Sequence, residues 1–125
     1  MNSSNNNDLP IFVKWMSYLS HLSIVIDRMP KKVRFTLSDR IFNLSLDIAE
    51  KIVEARFQRK KTTTLNHINL SLEKIRVLFR IAHEGKFVSS KDFYRINEAL
   101  FEVGKMLGGW RKEVTRRDET IRQSF

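Results

Sequence analysis

Phe93–Val114 reads FYRINEALFEVGKMLGGWRKEV. Its apolar residues Phe93, Ile96, Leu100, Val103, Leu107, Trp110 and Val114 recur at alternating steps of three and four. That is the period of a helix with one face against a core. Ser89 stands just ahead as a start signal, with Asp92 three residues on as its capping-box partner.

Working backwards, Gly85 stops a preceding helix whose seam is Leu65, Ile68, Leu72, Ile75, Phe79 and Ala82. Its opposite stripe is polar: Asn66, Asn69, Glu73, Arg76, Arg80 and His83. Thr62–Thr64, hydroxyl-bearing and β-branched, read as the turn before it. Upstream, Thr36 with Asp39 reads as a weak capping box opening a helix along Leu37, Ile41, Leu44, Ile48, Ile52 and Ala55. Phe42, Leu46, Ala49 and Val53 widen its stripe. The first helix carries one seam of Leu9, Phe12, Met16, Leu19, Ser23 and Ile26. A second seam beside it holds Trp15, Tyr18, Leu22, Val25 and Met29. Asp8 is a candidate cap, Pro10 suits a first turn, and Pro30 ends the helix. No segment alternates with period two. The expected fold is all-α: four helices of roughly 20 residues with short links, hence an antiparallel up-down-up-down four-helix bundle. Residues 1–8 read as a disordered polar tail, 9–116 as the bundle domain and 117–125 as a frayed tail.

The whole chain has 125 residues, 42% hydrophobic, enough for one core. Its 4 Gly and 2 Pro are too few for a loop-rich β-sandwich, and it has no Cys. The absence of Cys excludes disulfides, a thiol nucleophile and Cys-ligated metal. No apolar run reaches a membrane span and no leader pattern opens the chain, so a cytoplasmic protein is expected.

The net charge is +9, and it is unevenly placed. Residues 1–55 hold 7 basic and 6 acidic side chains, against 16 and 8 in residues 56–125. Such a surplus favours an anionic partner, with nucleic acid or a nucleic-acid-handling protein first. No catalytic set emerges. His21, His67 and His83 share no metal-ligand spacing with a carboxylate, and Gly85–Lys86 lacks the rest of a phosphate loop. Most carboxylates sit three or four residues from a cation, as Glu73 with Arg76 and Glu102 with Lys105 do, which is ordinary helix-surface pairing. No enzyme, cofactor or metal is expected. The cations are read as lacking exposed aromatics between them, so binding is expected to run through phosphates without strong sequence readout.

Two features stand apart. Arg76 and Arg80, one turn apart, read either as a ligand-facing pair or as ion-pair partners of Glu73 and Glu84. Gly104, Gly108 and Gly109 lie in a helical seam, where each glycine costs roughly 1 kcal/mol relative to alanine. Close approach of another backbone at Gly104 and Gly108 is the expected compensation, with a bend that places Trp110 as another.

Residues 102–110, EVGKMLGGW, resemble the E-[IV]-G-[RK]-x-L-G-x-W signature of the accessory variability determinant (Avd) proteins of diversity-generating retroelements. Met29-Pro30-Lys31-Lys32 resembles that family's link between helices one and two. Residues 75–80, IRVLFR, resemble its run on helix three. The resemblance spans about residues 12–114. It implies a non-catalytic four-helix accessory protein that assembles into a homopentameric ring. The ring would bind the element's reverse transcriptase, and template RNA or cDNA, in mutagenic retrohoming. It carries Arg76, Arg80 and Lys105 over as binding residues; Gly104, Gly108 and Trp110 are packing residues on the glycine argument above. Arg56, Arg59, Lys60, Lys61, Arg111, Lys112, Arg116 and Arg117 are candidates on charge alone. The alternatives are a four-helix protein of the rRNA intervening-sequence type and a helical interaction module without nucleic acid. The double seams of helices one and two place the surplus, including Trp15, Tyr18 and Phe42, at contacts between copies.

Overall fold

The computed structural model describes residues 9–124. Among these, four α-helices carry the fold: α1 (Pro10–Arg28), α2 (Asp39–Phe57), α3 (Thr62–Glu84) and α4 (Ser90–Gln123), with no strand. α1 packs on α2 and α4, and α3 packs on the same two helices. The expected polar tail and the candidate cap Asp8 lie outside the described residues. α4 has 34 residues and so measures roughly 51 Å at the α-helical rise, against roughly 35 Å for the 23 residues of α3. It continues through residues 117–123, which the sequence reads as frayed.

One buried stripe per helix builds the core. α3 contributes Leu65, Ile68, Leu72, Ile75, Phe79 and Ala82, all fully enclosed. α4 contributes Ile96, Leu100, Val103, Leu107 and Val114. α1 contributes Ile11, Trp15, Tyr18, Leu22 and Val25, and α2 contributes Ile41, Ser45, Ile48, Ile52 and Ala55. Steps of three and four hold along each stripe, with the half-buried Trp110 standing between Leu107 and Val114, the spacing that lets neighbouring helices interdigitate near parallel axes. Each large side chain so buried stabilises by about 1.5–3 kcal/mol.

The placement of Trp15 and Tyr18 corrects the expectation that they meet another copy. Trp15 is 0% exposed and Tyr18 is 3%. Of the two α1 seams theirs is the core seam, because it alone finds polar partners inside. Trp15 Nε1 donates to the Ser45 carbonyl at 2.8 Å. Ser45 Oγ donates its single proton to the Ile41 carbonyl at 2.8 Å, so at 3.0 Å it accepts from the Tyr18 hydroxyl. The two rings stack with centroids 4.1 Å apart. Burial pushes the Tyr18 phenol well above its ordinary pKa. The other α1 seam is half-buried at Leu9, Phe12, Leu19 and Ile26 and exposed at Met16. Phe42 is half-buried against the core.

Helix boundaries depart from the sequence reading at two links. A 3₁₀ turn, Lys31–Val33, and one π-helical turn, Arg34–Ser38, lead into α2. Thr36 therefore does not cap that helix: its Oγ1 donates to the Val33 carbonyl at 3.3 Å. The preceding turns already offer their carbonyls to the entering N–H groups, as Asp39 shows in bonding Arg34 and Thr36. At the second link, Thr62–Thr64 form the first turn of α3 rather than a loop. Thr64 Oγ1 bonds Gln58 Oε1 at 2.6 Å, so its hydroxyl does not compete with the helix backbone.

The last link follows expectation more closely. α3 ends at Glu84 with Gly85 as its C-cap, but Lys86 takes the left-handed conformation, φ 63°. Gly85 leaves room for the next link: a Cβ there would lie 2.6 Å from the Phe87 ring, which would have to shift. Ser89 Oγ accepts from the Asp92 N–H at 3.1 Å, as a cap should. The buried Asp92 carboxylate turns instead to Arg28 Nη1, at 3.1 and 3.2 Å, and ties the end of α1 to the start of α4.

Candidate nucleic-acid and partner-binding surface

The link Gln58–Lys61 and the later turns of α4 gather most of the candidate cations. Lys61 is spent on structure. Its Nζ donates to the carbonyls of Ala55, Arg56 and Gln58 at 2.6, 3.2 and 2.7 Å, closing the end of α2. An ammonium suits that position because the final carbonyls of a helix carry partial negative charge. Arg59 and Lys60, held on this short link, point into solvent. Arg111 Nη2 donates to Asn66 Oδ1 at 2.9 Å and joins α4 to the first turns of α3. Between the two helices lies a hollow of about 610 Å³, lined among others by Thr62, Asn66, Gly108, Arg111, Lys112 and Arg116. Lys112 is exposed. Arg116 binds Glu113 at 2.7 Å and Arg117 reaches the same carboxylate at 3.4 Å. The Arg116 hydrogen bond holds the Glu113 carboxyl below the usual glutamate range, with the charges of Arg116 and Arg117 assisting.

Arg76 and Arg80 do not act alike. Arg76 ion-pairs with Glu73, and its Nη2 reaches across to the Leu100 carbonyl of α4 at 3.2 Å. Its side chain keeps 31% exposure. Arg80 pairs with Glu84 at 3.1 Å but stays open to solvent at 77%. Both are thus engaged by the carboxylates that the sequence named as the alternative.

Gly104 is the seat of Arg76. A Cβ at Gly104 would lie 2.9 Å from Arg76 Nη2, whereas at Gly108 and Gly109 nothing comes within 4 Å. The expected close approach of another backbone at Gly104 and Gly108 is therefore absent among the described residues. A guanidinium fills the first position, and the second opens onto the hollow. Trp110 is half-buried against the core. Lys105 is exposed, with its Nζ 5.0 Å from the centre of the Phe101 ring.

Exposed aromatics do stand among the cations, against the sequence reading. Phe57 is 78% exposed and Phe35 is 81%. Phe57 sits in Arg56-Phe57-Gln58-Arg59-Lys60-Lys61, with the Arg56 guanidinium carbon 5.5 Å from its ring centre. Phe35 follows Lys31-Lys32-Val33-Arg34. The signal lay in these short strings, but periodicity alone did not say which phenyl rings the core leaves out.

No group of three or more His, Asp or Glu side chains fit to hold a metal occurs among the described residues. His83 stacks on Phe93 with ring centroids 4.0 Å apart, and its Nε2 lies 3.0 Å from Ser90 Oγ. His21 sits half-buried in a groove between α1 and α4, and its Nε2 is enclosed without a hydrogen-bond partner among the described residues. Burial first, then the Arg95 charge, lowers its pKa, and Asp92 opposes them. Among the described residues, no helix is long and apolar enough to cross a membrane.

A family model described as bAvd-like matches residues 11–114, which takes in the buried stripes of all four helices. No curated protein matches the chain.

Proposed function

We propose, starting from the fact that the chain belongs to the bAvd-like family, that it serves the reverse transcriptase of a diversity-generating retroelement. That family is of an accessory, non-catalytic kind. In this role the protein binds the enzyme, and template RNA or its cDNA, through the basic surface and performs no chemistry itself. The family match carries the reading. The exposed Arg59 and Lys60 on the link before α3, and Lys112 at the hollow between α3 and α4, support it, because they present charge that no carboxylate among the described residues takes up.

The bundle runs up-down-up-down in this reading. Three pairs support it: His83 with Ser90, Arg76 with Leu100 and Asn66 with Arg111 descend α3 while climbing α4. Copies associate into a ring, for which the outward Leu70, Val77 and Ile81 of α3, each about half exposed, offer an apolar stripe. A ring repeats each cationic patch and multiplies a weak contact.

The test is co-expression with the reverse transcriptase encoded beside this gene, followed by gel filtration with and without template RNA. Co-elution, with a native mass several times 14.8 kDa for this protein alone, is expected. Separate elution at low salt, together with a monomeric mass, refutes the reading.

A further inference from the structure

Phe57 is the feature that phosphate contacts leave unexplained. The ring stands 78% exposed at the end of α2, although a small hollow beside it is lined by Leu9, Phe12, Ile52 and Val53. A phenyl left in water is ordinary when isolated. This one is set within a run of four cations, Arg56, Arg59, Lys60 and Lys61. Next to it, Gln58 Oε1 accepts from the Thr64 hydroxyl at 2.6 Å, which fixes the link that bears Arg59 and Lys60 to the first turn of α3.

We propose that Phe57 is a stacking platform for an unpaired nucleobase, and that this end of the bundle prefers single-stranded nucleic acid to duplex. This rests on the nucleic-acid reading above. Arg59 and Lys60 supply the sequence-blind attraction to phosphate, and the aromatic face beside them takes a base from the same strand. A duplex cannot use the ring, since its bases already cover one another's faces. A second copy of this chain fits the site poorly. The centres of protein contacts are depleted of charge, whereas here two like-charged clusters would meet. Phe35, in the turn that leads into α2, is equally exposed, but of the two rings it is Phe57 that has a guanidinium beside it, with the Arg56 carbon 5.5 Å from its centre.

The experiment measures binding of the full chain to a labelled single-stranded oligouridylate and to an RNA duplex of equal length, by fluorescence anisotropy. The variants are Phe57→Leu, Phe57→Trp and the pair Arg59→Gln with Lys60→Gln. Phe57→Leu is expected to weaken single-strand binding roughly five- to a hundred-fold, the effect of one lost base stack, and to leave duplex binding unchanged. Phe57→Trp restores the affinity, and its added indole fluorescence is quenched by the oligonucleotide. The paired cation variant weakens both ligands. Equal single-strand affinity for Phe57→Leu and wild type overturns the stacking role while leaving nucleic-acid binding standing. A lower native mass for Phe57→Leu assigns the ring to self-association and overturns it too. A wild type that binds neither ligand removes the stacking role and the nucleic-acid reading together.

Discussion

Replacing Gly104 with alanine, alone and beside Arg76→Ala, probes how α3 and α4 share their seam. Two effects compete. In a helix interior alanine is favoured over glycine by about 1 kcal/mol. The new methyl, however, falls 2.9 Å from Arg76 Nη2 and must push the guanidinium aside. That breaks the 3.2 Å bond to the Leu100 carbonyl. A hydrogen bond from a charged donor contributes about 1.5–3 kcal/mol when buried, and nearer 1 for an arginine that water still reaches. The single Gly104→Ala change should therefore leave stability almost unaltered. In the Arg76→Ala background nothing is left to displace, and the full helix gain of about 1 kcal/mol should appear. For a domain of this size that is a difference of roughly 3–5 °C in Tm. Thermal and urea melts of the four proteins complete the double-mutant cycle. An identical Gly104→Ala effect in both backgrounds would falsify the seat assigned to Arg76. A loss of about 1–3 kcal/mol in both backgrounds would instead point to overpacking against a fixed neighbour.

Ser45→Ala should cost about 1–3 kcal/mol, since the Tyr18 hydroxyl loses its acceptor in the core; urea midpoints should show much of it recovered in the double variant with Tyr18→Phe, and no recovery rejects the bond. Lys61→Met uncovers the carbonyls at the end of α2 and should lower stability by about 1 kcal/mol in the same assay, with an unchanged midpoint counting against the cap. If an RNA strand meets about six cations, log K should fall with log salt at a slope near −4, and Arg59→Gln with Lys60→Gln should bring it to about −3; a salt-independent affinity excludes phosphate contact. The folded His21 titrates below the ordinary 6.5, so the unfolded chain binds the extra proton. Stability is accordingly full above pH 6.5 and falls as pH drops through the window between the two pKa values. His21→Gln should flatten that part of the curve, and an unaltered curve assigns the fall to other groups.

The buried face of α3 is legible, because its seam from Leu65 to Ala82 faces a polar stripe, whereas its first turn, Thr62–Thr64, is not. The buried face of α1 is not, since two apolar seams lie side by side and period alone ranks them equally. The choice fell to hydrogen bonding: Trp15 and Tyr18 can be buried only where Ser45 receives them. That serine interrupts the apolar stripe of α2, which is why a reading based on hydrophobicity passed over it. Lys61 reads as a binding cation because charge is visible in sequence, whereas carbonyls in need of a donor are not. Gly104 stands out in the sequence, yet its neighbour is a side chain from α3, a contact no local pattern carries. The helical path of α4 beyond Val114 is not legible in the sequence, because its apolar seam stops there while its helix continues.

Those last turns beyond Val114 bury nothing: every side chain from Thr115 to Ser124 is exposed. A helix of that length without a core obeys helix–coil statistics, where a handful of residues barely sustains itself in water. Ion pairs to Glu113 and backbone bonds from the Thr120 and Ser124 hydroxyls add only small increments. The segment should therefore open and close on its own, with amide protons that exchange long before those of Leu100 or Val103. Trypsin should take Arg116, Arg117 and Arg122 first. The bundle thus ends in a spring of cationic helix whose winding is cheap to undo, and whatever grips those arginines decides whether it is wound.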